Sequence, residues 1–569
     1  MEKNTITVTG SSLKIEDVID VACLDHNGRY AKVELGDLRK VQDSVDFITQ
    51  QVEAGEIIYG VTTGFGAKAD ALIEPEYAAK LQVNLLRSHA TGVGENFPTH
   101  IVRAIMLIRL NTLMKGNSGV RVETLTLLRN FLNNRVHPLV PSQGSLGASG
   151  DLCPLSHLAL PLIGEGRVEF NGIEYEAGRF FELEEVKERN DLRPLKELSY
   201  KEGLALNNGT SVMSALGTFA VYEFERLLRL TTLTSSLMLE AFCARSKAFD
   251  EKVHTARSHP EQEEIARWVR KYTGQSTFID FTEKNFADRA GVSGAESGIS
   301  PEKLAEKKKK PQDSYSFRCI PQVFGASLQA LNHAKGIFAR ELNAAVDNPL
   351  IFVEDEVVPG EPIKGEVISG GNFHGQPLAL ALDYMKLAIA EIGNIVERQI
   401  NKLLDPATND LLEPFLTYDE HNINSGLMIS QYVAASLVSE NKVLVHPASA
   451  DSIPTSANTE DHVSMGATAG RQALEILGNV KNVVMIAILT AHHAMQIRED
   501  QFKKFGINAR RAAATEALFR KVKEVVPDFE KIGEDDHFLN EDRFLYEDIK
   551  ELAAAYDNFV ALAERYLAG

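Results

Sequence analysis

Three long stretches without proline constrain this chain most: Gly203 to His259, Leu378 to Asp405 and Thr455 to Val526. Proline removes a backbone donor and clashes inside a helix, so its absence over such lengths permits long uninterrupted helices. Within the second stretch, Leu380, Tyr384, Leu387, Ile392, Ile395 and Ile400 recur at three- to five-residue steps, the period of a helix face. Ala473 to Met495 is almost apolar all round, which predicts a helix buried at the centre of a bundle or at a subunit interface. Long helices covering one another are the natural way to bury such surfaces.

The first 200 residues read differently. Ile6 to Gly10 and Gly55 to Gly66 contain short β-prone runs broken by glycine, and Val168 to Gly172 looks like a hairpin. Helical stretches at Glu76 to Ala90 and His100 to Leu113 lie between them. The expectation is a mainly α-helical chain. A smaller mixed N-terminal domain spans residues 1–200, and a long-helix bundle with a C-terminal helical extension spans 201–569.

Composition narrows the function classes. With 60 Lys+Arg against 79 Asp+Glu, the formal charge of −19 opposes a nucleic-acid partner, whose binding rests on basic side chains. Four scattered cysteines (Cys23, Cys153, Cys243, Cys319) offer neither a disulfide framework nor a CxxC metal site. Neither the N-terminal residues nor the Gly203–Tyr222 run, which carries Asn207, Asn208, Thr210 and Ser211, reads as a membrane or export segment. The expected setting is cytoplasmic, with no membrane partner. Lys307 to Lys310 reads as a solvated helix end or loop, or as a charged lid. Glu460, Asp461 and His462 with His446 or His421 are conceivable metal ligands, but no HExxH-type spacing appears and no metal is expected.

The most unusual segment runs from Gly144 through Ala148-Ser149-Gly150-Asp151 to Pro154. One reading is a tight turn opening a helix, with Ser149 or Asp151 as N-cap and Pro154 in the first turn. That leaves unexplained the glycines on both sides of Ala-Ser, which permit sharp bending and close backbone approach.

Gly-Ala-Ser-Gly-Asp-Leu resembles the signature of the aromatic amino acid ammonia-lyase family. There the tripeptide cyclises and loses water to form 4-methylideneimidazol-5-one (MIO), an electrophile that no unmodified side chain provides. Five further segments resemble the family's motifs in matching order. They are Tyr59 to Gly66, Leu81 to Gly94, Glu202 to Thr210, Gln312 to Arg318, and Gly370 to Gly375. The resemblance implies the histidine/phenylalanine ammonia-lyase fold, a homotetramer with shared active sites, and a small amino-acid substrate. It implies that Ala148, Ser149 and Gly150 form the MIO, that Tyr59 is the catalytic base, and that Tyr315 lies near the MIO. Arg318 and Asn208 would bind the substrate carboxylate, with Gln312 and Phe373 as further substrate contacts.

Within the family, Ser88-His89 resembles the histidine-directed pattern, in which the histidine meets the substrate imidazole. Val438 to Pro447 and Pro454 to Gly466, with Thr459-Glu460-Asp461, are similar to the same group. Glu440 suits catalysis on an imidazole, because its carboxylate accepts an N–H that a phenyl ring lacks. Gly375-Gln376-Pro377 is closer to tyrosine aminomutases, and Asn207 stands where an apolar residue is usual. The implied reaction is loss of ammonia from L-histidine to give trans-urocanate. The alternative is a tyrosine or phenylalanine lyase or 2,3-aminomutase giving an aryl acrylate or β-amino acid.

Overall fold

The computed structural model describes residues 5–25, 27–281, 312–354, 357–358, 360–409, 412–417, 423–504, 506–526 and 542–568. Lys307 to Lys310 and His421 lie outside them. The chain forms two compact units, each assembled from three stretches.

The first unit comprises Met1–Tyr222, His333–Asp383 and Pro447–Leu474. It holds all the described sheets, which are small. Ile6–Val8 pairs in parallel with Val33–Leu35. Val136–Pro138, Arg167–Phe170 and Ile173–Glu176 form an antiparallel trio. The expected hairpin closes through Asn171 and Gly172, both at positive φ (54° and 76°). That is the two-residue turn whose twist matches the flanking strands, and Asn-Gly suits it best. The β-prone run before Gly66 forms no strand. Its glycines instead support a bend that leads into the short helical turn Gly66–Lys68. At the unit's centre, helix Thr99–Leu113 is buried at every residue from Ile101 onward. Each aliphatic side chain removed from water there contributes roughly 1.5–3 kcal/mol.

The second unit comprises Glu223–Asn332, Tyr384–His446 and Glu475–Gly569, and is helical. Four buried hydroxyls on its first helix are satisfied locally. Thr231, Thr232, Thr234 and Ser236 each donate to the carbonyl four residues earlier, at 2.7–2.9 Å. Such back-bonding lets a wholly buried helix carry polar side chains without orphaned donors.

The long helices appear where the proline-free stretches predict them: Ser211–Ala241, Gln376–Leu404 and Gly466–Lys504. The last is apolar and long enough to cross a membrane, yet 67% of its most apolar window is buried inside the protein. Of the Ala473 to Met495 stretch expected to be buried, Val483 through Met495 are buried without a break, while Glu475, Gly478 and Asn482 are exposed on the isolated chain. The helical face read from Leu380 to Ile400 departs from expectation. Ile392, Ile395 and Ile400 are buried, but Leu380, Tyr384 and Leu387 are exposed on the isolated chain.

Candidate active site

In the first unit, four loops converge on residues 147–151. Gly150 bends at φ +74° and pairs with Gly209 as a parallel bridge. The Ser149 carbonyl accepts from Asn208 Nδ2 at 2.9 Å and from the Gly209 N–H at 3.4 Å. Ser464 Oγ donates to the Gly147 carbonyl at 3.0 Å, and the Met465 N–H to that of Leu146 at 2.8 Å. A side chain on Gly375 would overlap Met213 and Ser464, so the segment after Phe373 abuts the same loops.

Asp151 occupies the N-cap position of helix Leu152–Ala159, but its carboxylate does not cap that helix. It accepts from the Val212 and Met213 N–H groups at 2.9 and 3.0 Å, at the start of helix Ser211–Ala241, and from Ser145 Oγ at 2.8 Å. Burial pushes its carboxyl up to about 6, against the pull of these donors. The N-cap reading is therefore corrected: Asp151 ties the Ser149 turn to a helix 60 residues away in sequence. Ser149 caps nothing either. Its Oγ donates to Glu460 Oε1 at 2.6 Å.

Glu460, which the sequence offered only within the Pro454–Gly466 motif and as a conceivable metal ligand, is thus placed against the Ser149 hydroxyl. Thr455 Oγ1 also donates to it, at 3.3 Å, across the Thr455–Glu460 bridge. A side chain on Gly66 would meet Ser456 Oγ at 2.6 Å, so the Tyr59 loop packs against this same turn. Tyr59 is half-buried, and its hydroxyl oxygen accepts the Gly66 N–H at 3.2 Å. His89 ends helix Ala78–His89, with Nδ1 3.0 Å from Ser88 Oγ. Burial lowers its pKa and so favours the neutral imidazole, opposed by a backbone contact at Leu85 and by the Glu460 charge. Phe373 is half-buried, and His374 beside it faces His462 at 3.3 Å.

Asn207 turns away from Ser149. Its amide donates to Ser156 Oγ at 3.0 Å, joining helix Glu202–Asn207 to helix Leu152–Ala159. A polar residue is thus held in the core by its amide nitrogen, its Oδ1 having no partner among the described residues.

In the second unit, Gln312, Tyr315 and Arg318 lie together. Arg318 donates to Gln312 Oε1, and its guanidinium sits 4.6 Å over the Tyr315 ring. The short helix Tyr315–Arg318 is fixed by Phe317, buried and stacked on Phe242 at 4.5 Å, and by Gln399 Nε2 donating to the Ser316 carbonyl at 2.8 Å. Tyr315 itself is 71% exposed. Glu440 lies on the exposed side of helix Met428–Leu444.

Asn208 Oδ1 in the first unit and Arg318 Nε in the second are among the buried polar atoms with no hydrogen-bond partner among the described residues. Among the described residues, no group of three or more His, Cys, Asp or Glu side chains is placed to hold a metal.

The profile of the aromatic amino acid lyase family matches residues 13–524. Histidine ammonia-lyase from Bacillus subtilis is 44% identical over 526 residues, covering 92% of this chain and 93% of that protein. The crystal structure of histidine ammonia-lyase from Trypanosoma cruzi superposes with a TM-score of 0.81 at 33% identity, covering 98% of this chain and 95% of that one. Tyrosine aminomutase from Streptomyces globisporus gives 0.83 at 33% identity, with 99% and 98% covered.

Proposed function

The chain belongs to the aromatic amino acid lyase family, and on that footing we propose that it eliminates ammonia from L-histidine to give trans-urocanate. It is a carbon–nitrogen lyase. The observation that carries the reading is Ser149, held at its carbonyl by Asn208 and Gly209 and facing Glu460 through its hydroxyl.

The residues present fit an MIO formed from Ala148, Ser149 and Gly150. The bend at Gly150 leaves no room for a side chain, Ala148 is buried, and the Ser149 carbonyl already sits between two N–H donors. Once formed, the group would supply an electron-poor methylidene that activates the substrate amine for departure.

The chain's own residues do the remainder. Arg318 offers a planar fork to the substrate carboxylate, with Gln312 setting its orientation. Asn208 assists in holding that carboxylate through its amide. His89, whose neutral form burial favours, meets the substrate imidazole, and the Glu440 carboxylate accepts an imidazole N–H. By the family resemblance Phe373 is a further substrate contact and Tyr315 a catalytic residue. Tyr59 takes the β-proton on its phenolic oxygen. General-base assistance of this kind is worth about 10²–10⁴ in rate, so substrate positioning and the electrophile supply the rest.

We further propose a homotetramer with shared active sites. On the second unit, Tyr384 and Leu387 of one helix, and Ile429, Tyr432, Val433 and Val443 of another, are large side chains left exposed. Single exposed apolar residues are ordinary, but stripes on long helices mark surfaces that association covers. A fully active monomer in sedimentation overturns this. Cytoplasmic residence fits a chain whose four scattered cysteines offer no disulfide framework.

A near-ultraviolet assay on histidine, tyrosine and phenylalanine tests the reaction. Urocanate formation is the expected result. Coumarate, cinnamate or a β-amino acid, with no turnover of histidine, would transfer the chain to the aryl-directed group that Gly375-Gln376-Pro377 resembles.

A further inference from the structure

Arg109 lies within helix Thr99–Leu113 and is fully buried. Its Nη2 donates to the carbonyl of Ala205 and, at 2.7 Å, to that of Asn208. A side chain on Gly209 would come within 2.6 Å of Arg109 Nη1, so the guanidinium lies directly against the Asn208–Gly209 peptide. Nothing in the proposed reaction uses this charge. Burying a guanidinium is costly, and among the described residues no carboxylate is in direct contact with this one. Asp347 and Asp151 oppose the cost from a distance, and Asp347 is itself paired with buried Lys201.

The Asn208–Gly209 peptide is gripped at both ends. Its carbonyl accepts from Arg109, and its N–H donates to the Ser149 carbonyl at 3.4 Å. In a trans peptide these groups point in opposite directions, so the unit bridges the guanidinium and the cyclising turn. A cation at the carbonyl withdraws electron density and makes the N–H a better donor, because hydrogen bonds in series reinforce one another. The same contact fixes the backbone from which the Asn208 amide reaches Ser149.

We propose that Arg109 is a positioning residue for ring formation: through the Asn208–Gly209 peptide it holds and polarises the Ser149 carbonyl while Gly150 attacks Ala148. The inference rests on the reading that Ala148-Ser149-Gly150 cyclises. In that step the Gly150 nitrogen bonds to the Ala148 carbonyl carbon. The Ala148 oxygen leaves as water with the amide hydrogens of Ser149 and Gly150, and a C=N bond remains. A second water takes the Ser149 hydroxyl and its α-hydrogen, leaving the exocyclic C=C. The ring retains the Ser149 carbonyl, so its two donors act on the turn before closure and on the product.

The test compares wild type, R109K and R109M by intact mass under denaturing conditions, circular dichroism and histidine kinetics. Wild type is expected to be lighter than its sequence by two waters. R109M is expected to fold, with more than half of its molecules at full sequence mass and kcat down at least 100-fold. R109K keeps the cation but loses the fork. It is expected to lie between the two, with kcat down about tenfold and KM within threefold of wild type. A purely structural role would lower the melting temperature and leave the mass unchanged. Complete dehydration with wild-type kcat in folded R109M or R109K overturns the proposal, as does loss of folded protein in both variants. Wild type at full sequence mass overturns the cyclisation reading beneath it, and this inference falls with it.

Discussion

Gly150 and Gly209 pair so closely that a Cβ on Gly150 would lie 2.6 Å from the Gly209 Cα and overlap its carbonyl. Both sit at positive φ, +74° and +135°. At Gly150 the left-handed conformation alone costs a side chain about 1–2 kcal/mol, and forcing atoms into a packed site adds about 1–3 kcal/mol. Gly209→Ala would in addition press on Val346 and Arg109. Both alanine variants are expected to lose dehydration of the turn and several degrees of melting temperature. Intact mass and a thermal melt decide it; a fully dehydrated Gly150→Ala with a wild-type melt counts against the geometry.

Glu460 stands opposite Ser149 at 2.6 Å, where a carboxylate can take a hydroxyl proton or orient the leaving oxygen. A charge-assisted contact of this kind is roughly twice as strong as a neutral one. Glu460→Gln keeps an acceptor without the charge, and Glu460→Ala removes both. We expect kcat to fall about tenfold for the glutamine and at least 100-fold for the alanine, with mixed masses in the latter. Wild-type mass and turnover in Glu460→Ala would remove Glu460 from the site.

How much of this was legible beforehand depended on whether the cause was local. The long helices followed from the absence of proline, and the 167–176 hairpin from Asn171-Gly172, because each is decided within a few residues. The active turn was recognisable from Ala148-Ser149-Gly150, but its partners were not. Asp151 looked like a local cap because its true acceptor role is set by Val212 and Met213, which only the fold brings near. The contacts of Glu460 and Arg109 were obscure for the same reason: 311 residues separate Glu460 from Ser149, and 99 separate Arg109 from Asn208. The helix periodicity at Leu380 to Leu387 identified an apolar face without telling whether its cover comes from the same chain.

Arg318 combines a buried, unpartnered Nε with a contact to Gln312 and a face over Tyr315. If its fork receives the substrate carboxylate, Arg318→Ala removes a charge-assisted contact worth about 2–3 kcal/mol, which is roughly 30- to 150-fold in affinity. The KM for histidine should rise by that factor. Arg318→Lys should recover little of it, since an ammonium cannot reproduce the planar pair of donors. Inhibition by histamine, which lacks the carboxylate, should stay within threefold of wild type. A parallel loss of histamine binding would assign Arg318 to pocket shape instead.

Glu240 provides a stability test independent of the chemistry. It is buried in the second unit, where Oε1 accepts the Ala512 N–H at 2.8 Å, and burial pushes its carboxyl up to about 7. A carboxyl whose folded pKa is raised binds more protons folded than unfolded between about 4.5 and 7. Stability from this group is therefore present below the unfolded value and lost as pH rises through the folded one. Glu240→Gln keeps the acceptor for Ala512 and cannot ionise. Its melting temperature relative to wild type should climb steadily from pH 5 to pH 7.5 and then level off. At one pKa unit per 1.36 kcal/mol, the gain has a ceiling of about 3 kcal/mol. Histidine turnover at pH 8 should stay within twofold, because Glu240 touches none of the proposed site residues. A stability difference that is flat with pH would mean that Glu240 stays ionised throughout, and that the Ala512 N–H and its neighbours stabilise the charge more than burial penalises it.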